Sequence, residues 1–224
     1  MRAIQAYSLL AALLFAPLSA FAAERFGTLT ELKPKAALAP ESPSKTLSLG
    51  GPLLAGDRLK TGAAGRLAFV TQDGSLVRLG TNSELNLSVP AQGAGSLFHL
   101  VKGLFQAVVE KQGTRQFQVD SNGGVAAVKG TQLQFEATDK GSELKVLEGS
   151  VALSDPAGKS SVTVGAGEAA LSYPDRVDQV RKMTAAEVKS LRGAFKALVD
   201  MKKKEYARRV REARGQRSEA KEAK

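Results

Sequence analysis

The 224-residue sequence has no cysteine, no tryptophan and only one histidine. Without cysteine, the chain has no disulfides, no thiol nucleophile, no cysteine-ligated zinc and no lipidation at a lipobox cysteine. With a single histidine and no Gly-x-Ser-x-Gly motif, nothing in the sequence suggests a hydrolase triad. Aromatic residues make up only 5% of the chain, whereas the 22 glycines indicate many turns.

The formal net charge of +10 is concentrated at the C-terminal end. Residues 181–224 contain 15 lysines and arginines against 6 acidic residues, whereas residues 23–180 contain 16 of each sign. A neutral body therefore carries a basic end, where we expect any electrostatic partner to bind.

Residues 1–22 have the pattern of a secretory signal. Arg2 provides the positive start, residues 7–18 are apolar, and Ala20-Phe21-Ala22 ends in the small-x-small pattern that signal peptidase accepts. The apolar run is short for a bilayer span of about 20 residues, which favours cleavage over an uncleaved anchor. The sequence predicts a mature protein that starts at Ala23, is periplasmic or secreted, and has no transmembrane segment.

Residues 23–55 are predicted to form an N-terminal strand and a proline-rich connection. Apolar residues recur from Phe26 to Leu32, and Pro34, Pro40 and Pro43 then interrupt any regular structure. We expect this connection to be an exposed surface segment.

Residues 56–173 are predicted to form one all-β domain. Short runs of alternating apolar and polar residues are separated by glycine or Asp-Gly turns, with no room for crossover helices. Residues 66–71 and 75–79 read as a hairpin, and Asp139-Lys140-Gly141 supplies another tight turn. Two architectures fit this pattern, a β-sandwich and a twisted, β-solenoid-like stack of short strands.

The hydrophobic core is expected to collect the apolar positions of these strands. The predicted core residues are Leu67, Phe69, Val77, Leu79, Leu85, Leu87, Phe105, Phe117, Val119, Leu133, Phe135, Leu144, Val146, Val151, Leu153, Val162 and Val164.

After a linker at residues 174–183, the period of the sequence becomes helical. Thr184-Ala185-Ala186-Glu187 is a capping-box pattern, and an apolar stripe then runs from Val188 to Val199. We predict an amphipathic basic helix over residues 184–214 and a disordered tail over 215–224. The apolar half is expected to pack on the β domain or on a second copy, and the basic half either binds an anion or is simply solvated.

Few single residues suggest chemistry. His99 lies in an apolar strand without a nucleophile or companion ligands, so a strand histidine on the polar face is the better interpretation. Asp57 and Asp73 are expected to bond the backbone two residues on in their turns. No calcium-ligand cluster and no phosphate-binding loop is evident. We therefore predict no catalytic residues, no metal, no cofactor and no enzymatic activity.

Several short motifs together resemble the FecR domain family, which is named for a bacterial iron-dicitrate sensor. Each motif is weak alone, but five occur in the family's order over a little more than half of the chain. The motifs are Gly56-Asp57-Arg58-Leu59-Lys60-Thr61-Gly62, Asp73-Gly74-Ser75-Leu76-Val77-Arg78-Leu79, Asn82-Ser83-Glu84-Leu85, Val128-Lys129-Gly130-Thr131-Gln132-Leu133 and Leu147-Glu148-Gly149-Ser150-Val151. Gly56, Asp57, Asp73, Gly74, Gly130, Thr131 and Gly149 are the structural residues of these motifs.

The resemblance implies a twisted, solenoid-like β domain that acts outside the cytoplasm. FecR-like sensors transmit a signal across the inner membrane and control a sigma factor through a cytoplasmic segment. This sequence instead has a secretory signal where such a sensor has its cytoplasmic domain and anchoring helix. The resemblance therefore favours a stand-alone interaction module that binds an envelope or secreted protein in signalling or assembly.

A second hypothesis is that the basic helix binds an anionic polymer or envelope surface. The predicted contacts are Lys202, Lys203, Lys204, Arg208, Arg209 and Arg211, and such binding should weaken steeply with salt. Nucleic acid is disfavoured as a target, because the chain is predicted to lie outside the cytoplasm and because no aromatic side chains for base stacking accompany the basic residues.

Overall fold

The computed structural model describes residues 24–88, 96–111 and 117–222, and describes only the backbone of residues 96, 202 and 205–222. The predicted signal peptide and the predicted start at Ala23 lie outside the described residues.

Sixteen strands and one C-terminal helix make up the described chain. The strands are β1 (Arg25–Leu32), β2 (Ala36–Leu38), β3 (Pro52–Leu54), β4 (Arg58–Thr61), β5 (Leu67–Thr71), β6 (Leu76–Leu79), β7 (Glu84–Ser88), β8 (Ser96–Val108), β9 (Phe117–Asp120), β10 (Val125–Val128), β11 (Gln132–Thr138), β12 (Gly141–Glu148), β13 (Ser150–Ser154), β14 (Ser161–Gly165), β15 (Glu168–Ser172) and β16 (Arg181–Lys182). The helix is α1 (Ala185–Glu222). The predicted all-β class with a C-terminal helix is confirmed.

The strands form one unclosed sheet that folds into two layers. One layer, sheet A, has the strand order β3-β1-β5-β6-β8-β11-β12-β15-β16, and the other, sheet B, has the order β2-β4-β7-β8-β9-β10-β13-β14. Neighbouring strands are antiparallel except for β8 and β9. Of the two architectures that the sequence left open, this pairing corresponds to the sandwich, because the coils of a solenoid would stack in parallel.

Strand β8 belongs to both layers. Its first half pairs with β7 and β9 in sheet B, and its second half pairs with β6 and β11 in sheet A. Gly103 lies where the strand passes from one layer to the other and has a φ of 93°. A Cβ at this position would approach the Cα of Ser83 to 2.6 Å, so the bend requires glycine.

The core lies between the two layers. Phe98 of sheet B contacts Phe69 and Phe105 of sheet A, with ring centroids 6.2 and 5.2 Å apart. All of the predicted core residues are buried except Val162, which is partly buried against the same cluster. The alternation of apolar residues therefore predicted the inward face of both sheets.

The N-terminal segment contains the predicted strand over residues 26–32, which is β1, whereas the connection after it is only partly exposed, because Ala39 and Ser42 are buried. Phe26, Leu29 and Leu53 are buried in the main core, and β1 pairs with both β3 and β5. Pro52 begins the edge strand β3, where the missing N–H costs no ladder hydrogen bond. β1 and β3 are therefore part of sheet A, and β2 is part of sheet B.

Two boundaries near the C-terminus also differ from prediction. Within residues 174–183, Val177 and Val180 pack against the core and β16 pairs with β15, so this segment is a strap across the edge of the domain. Helix α1 continues past residue 214 to Glu222. The residues after Gly215 are rich in alanine, glutamate, lysine and arginine, which have high helix propensity. Their combined preference for helix outweighs the cost of the single glycine at position 215.

Candidate interaction site

The start of α1 is fixed by the predicted capping box. The amide of Glu187 donates to Oγ1 of Thr184 at 3.2 Å, and the amide of Thr184 donates to the carboxylate of Glu187 at 2.8 Å. Two backbone donors that would otherwise be unsatisfied at the helix start are thereby satisfied.

The first half of α1 packs on the outer face of sheet A. Leu191, Phe195 and Leu198 are buried, and they form a second apolar cluster with Val70, Leu76 and Ala169 of the sheet. The predicted packing of this half on the β domain is confirmed. The sheet is thus covered on both faces in this region, by its own core on one side and by the helix on the other.

An ion-pair cluster joins the helix start to the sheet. Arg181 of β16 donates to Glu187 at 2.8 Å and to Glu143 of β12 at 2.7 Å, and Lys145 lies 2.8 Å from Glu143. The hydrogen bond from Arg181 is the largest cause of a pKa of Glu187 that lies well below its ordinary value. The pKa of Lys145 is raised, because its bonds to the two carboxylates outweigh the opposing effect of burial.

A buried arginine lies beneath the middle of the helix. Arg78 of β6 is 7% exposed, its Nε lies 3.4 Å from the carboxylate of Glu31, and its Nη1 donates to the carbonyl of Ala194 at 3.4 Å. Burial lowers the pKa of Arg78, although Glu31 acts in the opposite direction. Arg78 therefore connects the N-terminal strand, the centre of sheet A and α1.

A groove of about 470 Å³ lies between α1 and the end of the β11–β12 hairpin. Leu147, Phe195 and Val199 form its apolar part, while Gln132 and Glu148 form the sheet wall. The Gln132 amide donates to the Glu148 carboxylate at 2.6 Å, which holds this wall in place.

The helix wall of the groove is mainly basic. Arg192, Lys196 and Lys203 line it together with Asp200, and all four are exposed. Within the part of the chain that the structure describes, these three basic side chains form no ion pair. Of the three, only Lys203 was among the predicted contacts. Their spacing of four and seven residues places all three on one face of a helix, so the sequence could have indicated a basic row there.

The predicted polyanion contacts all lie on α1, but not on one face of it. Residues 204, 208 and 211 share one face by their spacing of four and three, and residues 202 and 209 share another. Lys203 and Lys204 are exposed. The side chains of Lys202, Arg208, Arg209 and Arg211 are outside the described residues.

The predicted structural glycines occupy turns. Gly56, Gly74, Gly130 and Gly149 have φ values of 90°, 82°, 64° and 85°. Thr131 is buried, and its hydroxyl lies 3.1 Å from the carbonyl of Ser150, between the β10–β11 and β12–β13 connections. These residues hold the corners of the sandwich.

The two predicted turn aspartates differ from each other. Asp73 accepts from the amide of Ser75 at 3.1 Å, which is the predicted bond two residues on. Asp57 does not make that bond: it is fully buried and accepts from the amides of Leu54 and Ser44 at 2.8 Å. Asp57 fixes the proline-rich segment on the domain, a long-range contact that the local turn pattern does not reveal.

His99 lies on the outward face of sheet B, as predicted. Its Nδ1 is 2.6 Å from the carboxylate of Asp120 on the neighbouring parallel strand β9.

Within the described ranges, no three histidine, aspartate or glutamate side chains come together as metal ligands. Among the same residues, no helical segment combines the length and the apolar character that crossing a bilayer requires.

Comparison with known proteins agrees with this architecture. Residues 57–152 match the FecR protein family. This part of the chain is a FecR domain. The family is regulatory and is not known for enzymatic activity. The FecR domain begins at Asp57 and ends within β13, so the N-terminal strands, the strap and α1 lie outside it.

Solved structures support the fold. Two crystal structures, at 1.65 and 2.50 Å resolution, of a protein from Parabacteroides distasonis provisionally assigned as an anti-sigma factor resemble this chain with a TM-score of 0.51 and 16% sequence identity. The similarity covers 59% of this chain and 62% of that protein, so it spans less than two thirds of the relative. No curated protein matches the sequence.

Proposed function

We propose that this chain is a non-enzymatic, extracytoplasmic interaction module that binds a protein partner in envelope signalling or assembly. The observation that carries the proposal is the FecR domain at residues 57–152, which belongs to a regulatory family. The secretory pattern of residues 1–22 supports a location in the periplasm or outside the cell.

The described side chains are consistent with a binding role. Helix α1 covers part of the outer face of sheet A, and the strap at residues 174–183 packs across one edge of the domain. Buried polar groups hold strand connections in place. Asp57 bonds to the backbone of Ser44 and Leu54, and Thr131 bridges two strand connections. A rigid framework of this kind presents a fixed surface, which reduces the ordering cost of binding a partner.

Affinity capture from an envelope fraction tests this proposal. The chain, expressed with its signal and a C-terminal tag, should retain the same protein in repeated captures, and cell fractionation should place it outside the cytoplasm. Capture of no reproducible protein by a correctly folded chain, or a cytoplasmic location, would contradict the proposal.

A second candidate function is binding of an anionic polymer or envelope surface through Lys202, Lys203, Lys204, Arg208, Arg209 and Arg211. It is favoured by the exposure of Lys203 and Lys204 and by the continuation of α1 to Glu222. Removing residues 204–224 keeps the docking residues of α1 up to Met201 and removes most of these cations. The second function predicts that the full chain is retained on an anionic polysaccharide column in a salt-dependent way and that the shortened variant is not. Equal retention of the two proteins would exclude the second function.

A further inference from the structure

The helix wall of the groove presents its charges at regular intervals. Arg192, Lys196 and Lys203 are separated by four and seven residues, so they form a row about 16 Å long parallel to the helix axis. Two further exposed lysines lie close to Gly130, which precedes the groove residue Gln132 by two positions: Lys129 is its neighbour in sequence, and the side chain of Lys111 lies beside it.

The groove combines this row with an apolar floor. Leu147, Phe195 and Val199 lie beside the basic side chains, so a ligand that fits must bring apolar and acidic groups together. Carboxylates spaced by four and seven residues on a helix match the intervals of the row, and apolar residues on the same face would reach the floor.

The two acidic residues of the groove restrict the ligand further. Glu148 on the sheet wall and Asp200 on the helix would repel a uniformly anionic surface such as a lipid bilayer or a polyphosphate. A peptide can place its carboxylates opposite the cations and keep them away from Glu148 and Asp200. The sign pattern therefore favours a folded peptide segment over a membrane.

We propose that this groove binds an acidic amphipathic helix of the partner protein, with its carboxylates paired to Arg192, Lys196 and Lys203 and its apolar side chains on Leu147, Phe195 and Val199. The inference rests on the proposed function and states where the partner binds and what chemistry it presents. It places the binding surface at the contact between the FecR domain and α1.

A designed peptide tests the inference directly. The probe is a fluorescent alanine-based helix that carries glutamates at the intervals of the row and leucines on the same face. Replacing Arg192, Lys196 and Lys203 by glutamine should weaken its binding about tenfold, because exposed charge pairs each contribute only a fraction of a kcal/mol. Val199→Ser should weaken binding without loss of charge, and it leaves the buried docking residues in place.

Matched controls separate the groove from general charge effects. Replacing Lys33, Lys45 and Lys159 by glutamine removes the same charge from exposed positions elsewhere and should leave binding unchanged. A peptide of the same composition with glutamates and leucines on opposite faces should bind at least about tenfold more weakly. Circular dichroism checks that every variant keeps its strand and helix content.

Three results would overturn the inference: the designed helix does not bind, the two triple variants bind it equally, or the scrambled peptide binds as well as the designed one. Vesicles of phosphatidylglycerol are tested in parallel, and vesicle binding through the row without peptide binding would assign the groove to lipid instead. Envelope capture of a partner that the groove variant retains would refute the groove alone and leave the proposed function standing.

Discussion

The guanidinium of Arg181 donates two hydrogen bonds to the carboxylate of Glu187, at 2.8 and 3.0 Å. Arg181 lies on the last strand of sheet A, and Glu187 lies in the first turn of α1. The same carboxylate completes the capping box with Thr184. One acidic side chain therefore both starts the helix and ties it to the sheet that it covers.

Replacing Glu187 by glutamine should lower the melting temperature at pH 7. Glutamine can keep the capping box but loses the ionic bond to Arg181. Because the pKa of Glu187 is held below its ordinary value of 4.5 in the folded protein, its stabilising contribution is complete above that pH and is lost as the pH falls further. The difference between variant and wild type in thermal scans should therefore shrink below pH 4.5.

Glu24→Gln provides the control for this experiment, because Glu24 is exposed and the charge change is the same. Equal melting temperatures for wild type and Glu187→Gln at pH 7 would show that the ion pair contributes nothing to stability.

Asp155 should contribute a second acid-dependent component to stability. Its carboxylate accepts from the hydroxyl and amide of Ser160 and from the amide of Ala157, and chiefly the Ser160 hydroxyl lowers the pKa of Asp155 to about 2. The contribution is complete above the ordinary value of 3.8 and is lost as the pH falls through about 2. Asp155→Asn should therefore destabilise the protein at neutral pH, and progressively less in acid.

Asp139→Asn is the matched variant, since Asp139 is an exposed aspartate in another hairpin turn. If the two variants had the same pH profile of unfolding in urea, the bonds to the Asp155 carboxylate would be irrelevant to stability.

Gly149 should tolerate alanine less well than Gly158, which also has a positive φ. A Cβ at Gly149 would lie 2.8 Å from the carbonyl oxygen of Gly130, whereas nothing lies within 4 Å of the same position at Gly158. We expect Gly149→Ala to cost about 3 kcal/mol and Gly158→Ala about 1 kcal/mol, because only the first adds a backbone clash to the strain. Equal midpoints for both variants in urea denaturation would contradict the predicted close contact.

Phe98 should be among the most important core residues. Its ring contacts four other phenylalanines, Phe26, Phe69, Phe105 and Phe117, which come from both layers. Phe98→Ala is expected to cost about 3–5 kcal/mol, measured by urea denaturation. Leu49→Ala is the control, since Leu49 is 68% exposed, and its cost should be within about 0.5 kcal/mol. A cost for Phe98→Ala close to that of the control would contradict packing of the two layers on one core.

The sequence predicted what depends on local periodicity. Leu133 and Phe135 alternate with polar neighbours in β11, and both are fully buried. The capping box at Thr184 and the docking positions Leu191 and Phe195 were equally visible, because helix starts and apolar stripes are short-range signals.

Features that join distant parts of the chain were not predicted. Lys102-Gly103 resembles a turn between two strands, but it is the bend of the single strand β8, which depends on pairing partners in both layers. The groove joins Gln132 to Arg192, sixty residues apart. No window of sequence contains both walls, so local patterns could suggest the basic row but not the surface that faces it.

Cross-linking with mass spectrometry in native envelopes tests most directly the proposal that this chain binds an envelope protein. A lysine-reactive reagent should link this chain to one envelope protein reproducibly, with links from Lys196 or Lys203, which line the groove. Links confined to the chain itself, at an expression level at which internal links are abundant, would contradict the proposed role as a protein-binding module.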